Sequence, residues 1–171
     1  MNRRTLLTRI VQGFSVVGAG FLAYPFVKAF LPVAANEGLE VDLSGLRPGE
    51  SKIVHWQGRN VFVLRRSRAT FRSLEESGAN LKDPDSSAST QPAFARNPGR
   101  SRIPEIFVAY ANCTHLGCEV ALNGNKGFVY PCHDSRFDAA GRVFKDAIAS
   151  YNLQVPRYEL VSKRVLRLVR G

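Results

Sequence analysis

Cys113-Thr114-His115-Leu116-Gly117-Cys118 and, twelve residues further on, Pro131-Cys132-His133-Asp134-Ser135 decide how this 171-residue chain is read. Thiols and imidazoles spaced this closely in two short boxes form a metal-ligand pattern. The chain has 3 cysteines, too few for a disulfide scaffold, and their spacing is not that of a zinc finger. On residue chemistry alone, Cys113, His115 and His133 supply the three protein ligands that a catalytic zinc favours, leaving one position open. No catalytic carboxylate accompanies them. His55, beside Trp56 in a strand pattern, reads as structural, and Trp56 reads as core.

The sequence around the boxes is that of a β domain. Ile106 to Ala111 is an apolar run that leads directly into the first box, and Gly127-Phe128-Val129 leads into the second. Asn123-Gly124 between them is a hairpin-turn signal. Upstream, Val41-Asp42-Leu43, Lys52 to Gln57 and Asn60 to Arg65 read as strands. They are separated by Pro48-Gly49 and joined through Gln57-Gly58-Arg59. Ala69 to Ser77 has the composition of a short helix. Asp83 to Arg102, rich in Pro, Ser, Asn and Gly, reads as a long irregular connection. Gly141 to Phe144, Leu153 to Val155 and Lys163 to Val169 are expected to supply the last strands. Short strands, frequent turns and little helix predict an antiparallel β domain of packed sheets.

The N-terminus is different in kind. Ile10 to Val27 is an uncharged, largely apolar run of 18 residues, long enough for a membrane helix. Pro25 and Pro32 are expected to end it. Gly13, Gly18 and Gly20 would let another helix pack closely. Arg3, Arg4 and Arg9 precede the run, which predicts a cytoplasmic N-terminus and an exported remainder. A cleaved signal peptide ending near Ala34-Ala35 is the other reading, but the run exceeds a usual h-region, so an uncleaved anchor is expected. The composition, with 44% hydrophobic residues, suits one membrane segment and one compact domain. The formal net charge of +10 does not indicate nucleic acid. Removing Arg3, Arg4, Arg9 and Lys28 leaves 20 basic against 14 acidic residues, scattered and not interleaved with stacking aromatics. The run Arg65, Arg66, Arg68 and Arg72 reads as a solvated basic face.

Together the two boxes resemble the ligand loops of Rieske iron–sulfur proteins, whose 2Fe-2S cluster is held by two Cys on one iron and two His on the other. The resemblance extends along nearly the whole chain. Val41-Asp42-Leu43-Ser44, Leu46, Pro48-Gly49, Trp56 and Val61 to Leu64 are similar to the first strands of proteobacterial Rieske subunits. Asp83 to Ser86, Gln91-Pro92, Asn97, Arg100-Ser101 and Pro104-Glu105 are similar to their connecting segment. Ser135 to Asp138, Gly141 to Lys145, Asn152-Leu153 and Val155-Pro156 are similar to their tail.

The resemblance implies a mainly β fold: an antiparallel Rieske-type β-sandwich head with an inserted cluster-binding subdomain, preceded by one N-terminal transmembrane helix. Residues 1–32 would be a twin-arginine-like signal (Arg3-Arg4-Thr5-Leu6-Leu7) and anchor, 33–40 a hinge linker, and 41–171 the head, with the cluster-binding loops within 107–151. It implies Cys113, His115 and His133 as ligands, Ser135 as a hydrogen-bond donor to a bridging sulfide, and a Cys118–Cys132 disulfide in an oxidising compartment.

The pattern is broken at one ligand. The family's second box opens with Cys-Pro-Cys-His-Gly-Ser, and its first Cys is Tyr130 here. Three readings stay open: a phenolate at the fourth-ligand position, Cys132 taking the ligand role, or no normal cluster. Asp134 also replaces a glycine that lets backbone N–H groups approach the cluster. Asp146-Ala147-Ile148-Ala149-Ser150 replaces a covering loop of the Gly-x-Pro-Ala-Pro type. Phe137 replaces a tyrosine that bonds a ligand sulfur. The losses at 134 and 137 would lower the reduction potential.

The implied function is that of the iron–sulfur subunit of a respiratory cytochrome bc complex, a ubiquinol–cytochrome c reductase. Such a subunit passes electrons from membrane quinol, met at cytochrome b, to a c-type cytochrome. His115 or His133 would receive the quinol proton. The setting would be the inner membrane, with the head periplasmic. Two alternatives are carried with it: a structural Rieske-fold subunit without a competent cluster, and the mononuclear zinc site.

Overall fold

A computed structural model describes residues 2–30, 38–112, 119–131 and 135–170. The chain divides into two units, Met1–Glu37 and Gly38–Gly171. In the first, helix α1 spans Arg3–Phe30, 28 residues. At 1.5 Å per residue it exceeds the ~30 Å of a bilayer's hydrocarbon core. Its apolar side chains face all directions, and the helix is long and apolar enough to cross a membrane. Pro25 does not end it, contrary to the sequence expectation: the helix runs through Pro25 to Phe30. The proline removes one backbone donor, a loss a long helix tolerates when its other turns stay bonded.

The head is mainly antiparallel β. Strands β1 (Leu39–Asp42), β2 (Ser51–Trp56), β3 (Arg59–Arg65), β4 (Ile106–Tyr110), β5 (Ala121–Leu122), β6 (Phe128–Tyr130), β7 (Ser135–Phe137), β8 (Tyr158–Ser162) and β9 (Val165–Leu168) form three sheets. Their orders are β1-β9-β8, β2-β3-β4 and β5-β6-β7. Of the expected linker 33–40, Leu39 and Glu40 already pair with Leu168 and Arg167 in β1, and residues 31–37 lie outside the described set.

β3 is the central strand of its sheet. Val61, Phe62, Val63 and Leu64 are all buried, which explains why this stretch is continuously apolar rather than alternating. It meets β2 through Gln57 (φ 50°) and Gly58 (φ 75°), a two-residue turn with both central residues in the left-handed region. Helix α2 (Arg68–Ser77) opens on a capping box: the Ser67 hydroxyl accepts the Thr70 N–H at 3.1 Å, and the Thr70 hydroxyl accepts the Ser67 N–H at 3.2 Å. The core continues from sheet to sheet through aromatic rings. Phe128 of β6 packs on Phe62 (centroids 5.4 Å) and Phe107 (5.9 Å), which seats the small β5-β6-β7 sheet on the β2-β3-β4 sheet.

Two expected strands are not strands. Residues 141–144 make only single bridges, Phe137 with Val143 and Leu81 with Phe144. Residues 153–155 make isolated bonds on either side. Side chains intercept the ladder: Asn152 Oδ1 accepts the Val143 N–H at 2.8 Å, and the Arg100 guanidinium donates to the Leu153 carbonyl at 2.8 Å. β8 carries one buried residue, Tyr158, so its sequence lacks the alternation that would announce it.

The irregular connection 83–102 is ordered by buried polar groups rather than by a ladder. Arg100, 1% exposed, donates to the carbonyls of Ala140, Gly141 and Leu153. Arg66 is not part of a solvated face: it is 3% exposed and donates to the carbonyls of Ala139, Pro104 and Gly99. Its side chain thus ties the end of β3 to two loops, the one before β4 and the one after β7. Burial pulls both guanidinium groups down to about 10, so they remain charged at neutral pH. Arg68 and Arg72 are exposed, as expected of that run.

Candidate metal centre

The first box is closed by a single bridge and the second by a strand pair. Asn112 and Glu119 form an antiparallel bridge that frames the first box, and Tyr130 pairs with Ser135 to frame the second. β5 and β6 pair with Ala121 opposite Val129 and Leu122 opposite Phe128. Continued by two residues, that register brings Glu119 level with Pro131. Both boxes therefore leave the described strands at the same end of one small sheet. Cys113, His115, Cys118, Cys132, His133 and Asp134 themselves lie outside the described residues, as does the expected Cys118–Cys132 disulfide.

Gly127 fixes how β6 approaches its neighbour. It sits at φ +107°, and a Cβ there would stand 2.3 Å from the Asp138 carbonyl carbon and 2.3 Å from the Phe137 oxygen. No other residue type fits that contact. β6 then alternates: Phe128 and Tyr130 are buried, and Val129 between them is half-exposed. Tyr130 is 0% exposed and belongs to the apolar core.

Opposite it, Ser135 is also 0% exposed. Its hydroxyl oxygen accepts the Ala149 N–H at 3.1 Å. A hydroxyl that accepts there keeps its own proton to donate elsewhere. Asp138, 0% exposed, closes the turn after β7. Its carboxylate accepts the N–H groups of Ala140 (2.9 Å) and Arg142 (2.8 Å) and pairs with Arg142 Nε at 2.7 Å. Phe137 on β7 is buried at 1% and offers no donor. His55 is on β2 and exposed, and its ring nitrogen meets Asn60 Oδ1 at 3.1 Å, while the Asn60 amide donates to Glu119.

The loop 146–150 folds over the same region without its prolines. Ala147 and Ala149 are buried, while Ile148 is 53% exposed. Lys82, Ser135 and Arg136 hold it from outside, the last through an ion pair with Asp146. The sequence singled out neither Lys82 nor Arg136 as a holder of this loop. The lysine precedes the Asp83-Pro84-Asp85-Ser86 motif and carries no local signal of a role 65 residues away.

Comparison with known proteins decides the family. Residues 93–158 match the model of the Rieske [2Fe-2S] domain. The chain is 38% identical to the ubiquinol-cytochrome c reductase iron-sulfur subunit of Allochromatium vinosum, over 91% of this chain and 83% of the relative. It is 34% identical to the subunit of the same name from Blastochloris viridis, over 99% of this chain and 94% of the relative.

The chain belongs to the Rieske iron–sulfur subunits of ubiquinol–cytochrome c reductases.

A hyperthermophilic respiratory complex III chain shares the Rieske fold, with a TM-score of 0.56 at 20% identity, covering 93% of this chain and 98% of that one. The family's cofactor is a 2Fe-2S cluster, and its work is electron transfer in cytochrome bc complexes.

The Rieske residues of this chain fit that group at most positions. One thiolate (Cys113) and two imidazoles (His115, His133) are retained in sequence, both boxes spring from one sheet end, and the buried Ser135 hydroxyl has a proton to donate. Tyr130 stands where the family's pattern has its fourth ligand, so a donor there would be oxygen in place of sulfur. Phenolate is an iron ligand in haem proteins, but its oxygen stands a whole ring further from the backbone than a thiolate sulfur.

Proposed function

We propose that this chain is the electron-transfer subunit of a quinol–cytochrome c oxidoreductase, active only within its complex. The reading rests on one observation above the others: a bridge between Asn112 and Glu119 closes the first ligand box, the Tyr130–Ser135 pair of β6 and β7 closes the second, and the buried Ser135 hydroxyl lies beside it. Cys113, His115 and His133 would hold the cluster, with Tyr130 in the fourth position and Cys118 and Cys132 joined as a disulfide. The cluster supplies a one-electron acceptor when bound. Held through one ring nitrogen, His133 or His115 would turn the other towards the quinol hydroxyl, and that nitrogen would take the quinol proton only after giving up its own. Ser135 would donate to an inorganic sulfur of the cluster, and the 146–150 loop, bonded to the same hydroxyl, would cover that side.

The partners on this reading are cytochrome b, a c-type cytochrome, membrane quinol and the lipid bilayer. α1 would anchor the chain once in the inner membrane, N-terminus cytoplasmic and head periplasmic, because Arg3, Arg4 and Arg9 precede its apolar run. Residues 1–32 would be signal and anchor, the segment that begins at residue 33 the hinge, and the cluster loops would fall within 107–151.

One observation favours a second reading. Tyr130 is wholly buried among core residues where relatives have a thiolate, which suits a structural subunit without a competent cluster. Iron, zinc and acid-labile sulfide, measured per chain on protein purified from membranes, separate the two. About two irons and two sulfides are expected for the electron-transfer subunit. No iron refutes it, and the zinc figure then tests the mononuclear site.

A further inference from the structure

Asp146-Ala147-Ile148-Ala149-Ser150 contains no residue with a fixed φ, yet it lies against the Ser135 hydroxyl. Something other than the loop's own backbone must hold it. Lys82 Nζ donates to the carbonyl of Ala147 at 2.5 Å and to that of Ala149 at 3.0 Å. Two carbonyls two residues apart point at one ammonium only if the chain between them curls around it. Ile148, the residue between, is thereby turned outward.

Lys82 is itself anchored at the root of the same loop. Its N–H donates to the Val143 carbonyl at 2.9 Å, its neighbour Leu81 bridges Phe144, and the Lys145 N–H donates to the Asn80 carbonyl at 3.0 Å. Leu81 is 2% exposed, so this attachment is part of the core. The segment 80–82 therefore holds the loop's entrance through its backbone and the loop's far side through one side chain. Ammonium-to-carbonyl bonds are charge-assisted and stronger than neutral ones.

We propose that Lys82 is the positioning residue of the 146–150 loop: its ammonium gathers the carbonyls of Ala147 and Ala149 and so holds the Ala149 N–H on the Ser135 hydroxyl. A lysine that holds two carbonyls is a clamp formed on folding, whereas proline restricts the chain before it folds. The loop's geometry does not require the cluster. Its consequence for the Ser135 donor rests on the proposed electron-transfer function.

The test uses the full chain in detergent. Lys82→Met keeps the stem and removes the ammonium, and Lys82→Arg keeps a cation with several donors. Amide hydrogen exchange of 146–150 is expected to rise at least tenfold in Lys82→Met and to return to within about threefold of the parent in Lys82→Arg. Exchange of β3 should stay unchanged. A loop rate in Lys82→Met within twofold of the parent overturns the proposal, as does equal acceleration in β3 or no rescue by arginine. Competitive amine acetylation of the unaltered chain provides a second measurement. Lys82 should react at least fivefold more slowly than Lys126 and Lys163, and equal reactivity also overturns it. Neither measurement depends on iron, so failure of the cluster reading, seen as absent iron, is a separate result.

Discussion

Replacing Tyr130 with Cys has two opposite consequences, and both follow from where this side chain lies. Tyr130 is 0% exposed in the apolar core. A buried aromatic residue removes about 150–250 Å² from water, most of which a cysteine would not replace. Losing roughly 130 Å² of that burial at ~25 cal/mol per Å² costs about 3 kcal/mol. The cavity left behind adds to this, towards the ~3–5 kcal/mol of aromatic truncations. Metal-free Tyr130→Cys should therefore melt roughly 10 °C below the parent. The same change restores the family's fourth thiolate, so the fraction of chains that hold a two-iron, two-sulfide cluster should rise above the parent's, and the bound cluster should recover stability. The assay is elemental analysis with melting curves before and after cluster reconstitution. If Tyr130→Cys binds no more iron than the parent, Tyr130 is not the limiting departure, and Asp134 or the 146–150 loop is. If the metal-free variant melts with the parent, the account of a packed ring is wrong.

Three further outcomes are expected. Gly127→Ala places a Cβ 2.3 Å from the backbone of β7 at φ +107°, and should cost about 3 kcal/mol or more in urea unfolding; a change under about 1 kcal/mol would contradict the β6–β7 contact. Asp138→Asn leaves the buried Arg142 cation unpaired and should cost about 3–5 kcal/mol by the same measurement, so a neutral result would mean that the 2.7 Å pair does not form in solution. The last concerns acid. Burial pushes the Asp83 carboxyl up, but hydrogen bonds from Ser89, Ala88 and Ser87 outweigh it, and the net position is below the ordinary carboxylate value. A depressed acid stabilises the fold above its unfolded pKa of about 3.9 and loses that contribution as pH falls through its folded value. Stability should fall more steeply below about pH 4 in the parent than in Asp83→Asn, and superimposable pH profiles would refute the assignment.

The amino-acid sequence determined what depends on neighbours along the chain. The apolar run of Ile10 to Val27 behind three arginines specified a membrane-length helix, because length and the absence of charge suffice for that. Asn60 to Arg65 specified a strand, and Gln57-Gly58-Arg59 specified its connection. The two Cys/His boxes specified the family, because ligand chemistry is carried by residue identity and spacing. The boxes also revealed the departure at Tyr130 without any coordinates.

Tertiary structure decided what depends on side chains meeting across long separations. Arg66 read as one of four surface arginines, but the fold buries it, with its donors on carbonyls 33 to 73 residues away. Asn152 and Arg100 took backbone groups at 143 and 153 that a local reading had assigned to strands. Lys82 had no local signal, since its two acceptors lie 65 and 67 residues further along. Periodicity and turn chemistry act over a few residues, so they expose an element's type. They carry no information about which distant carbonyl a long cationic side chain will reach once the sheets have packed.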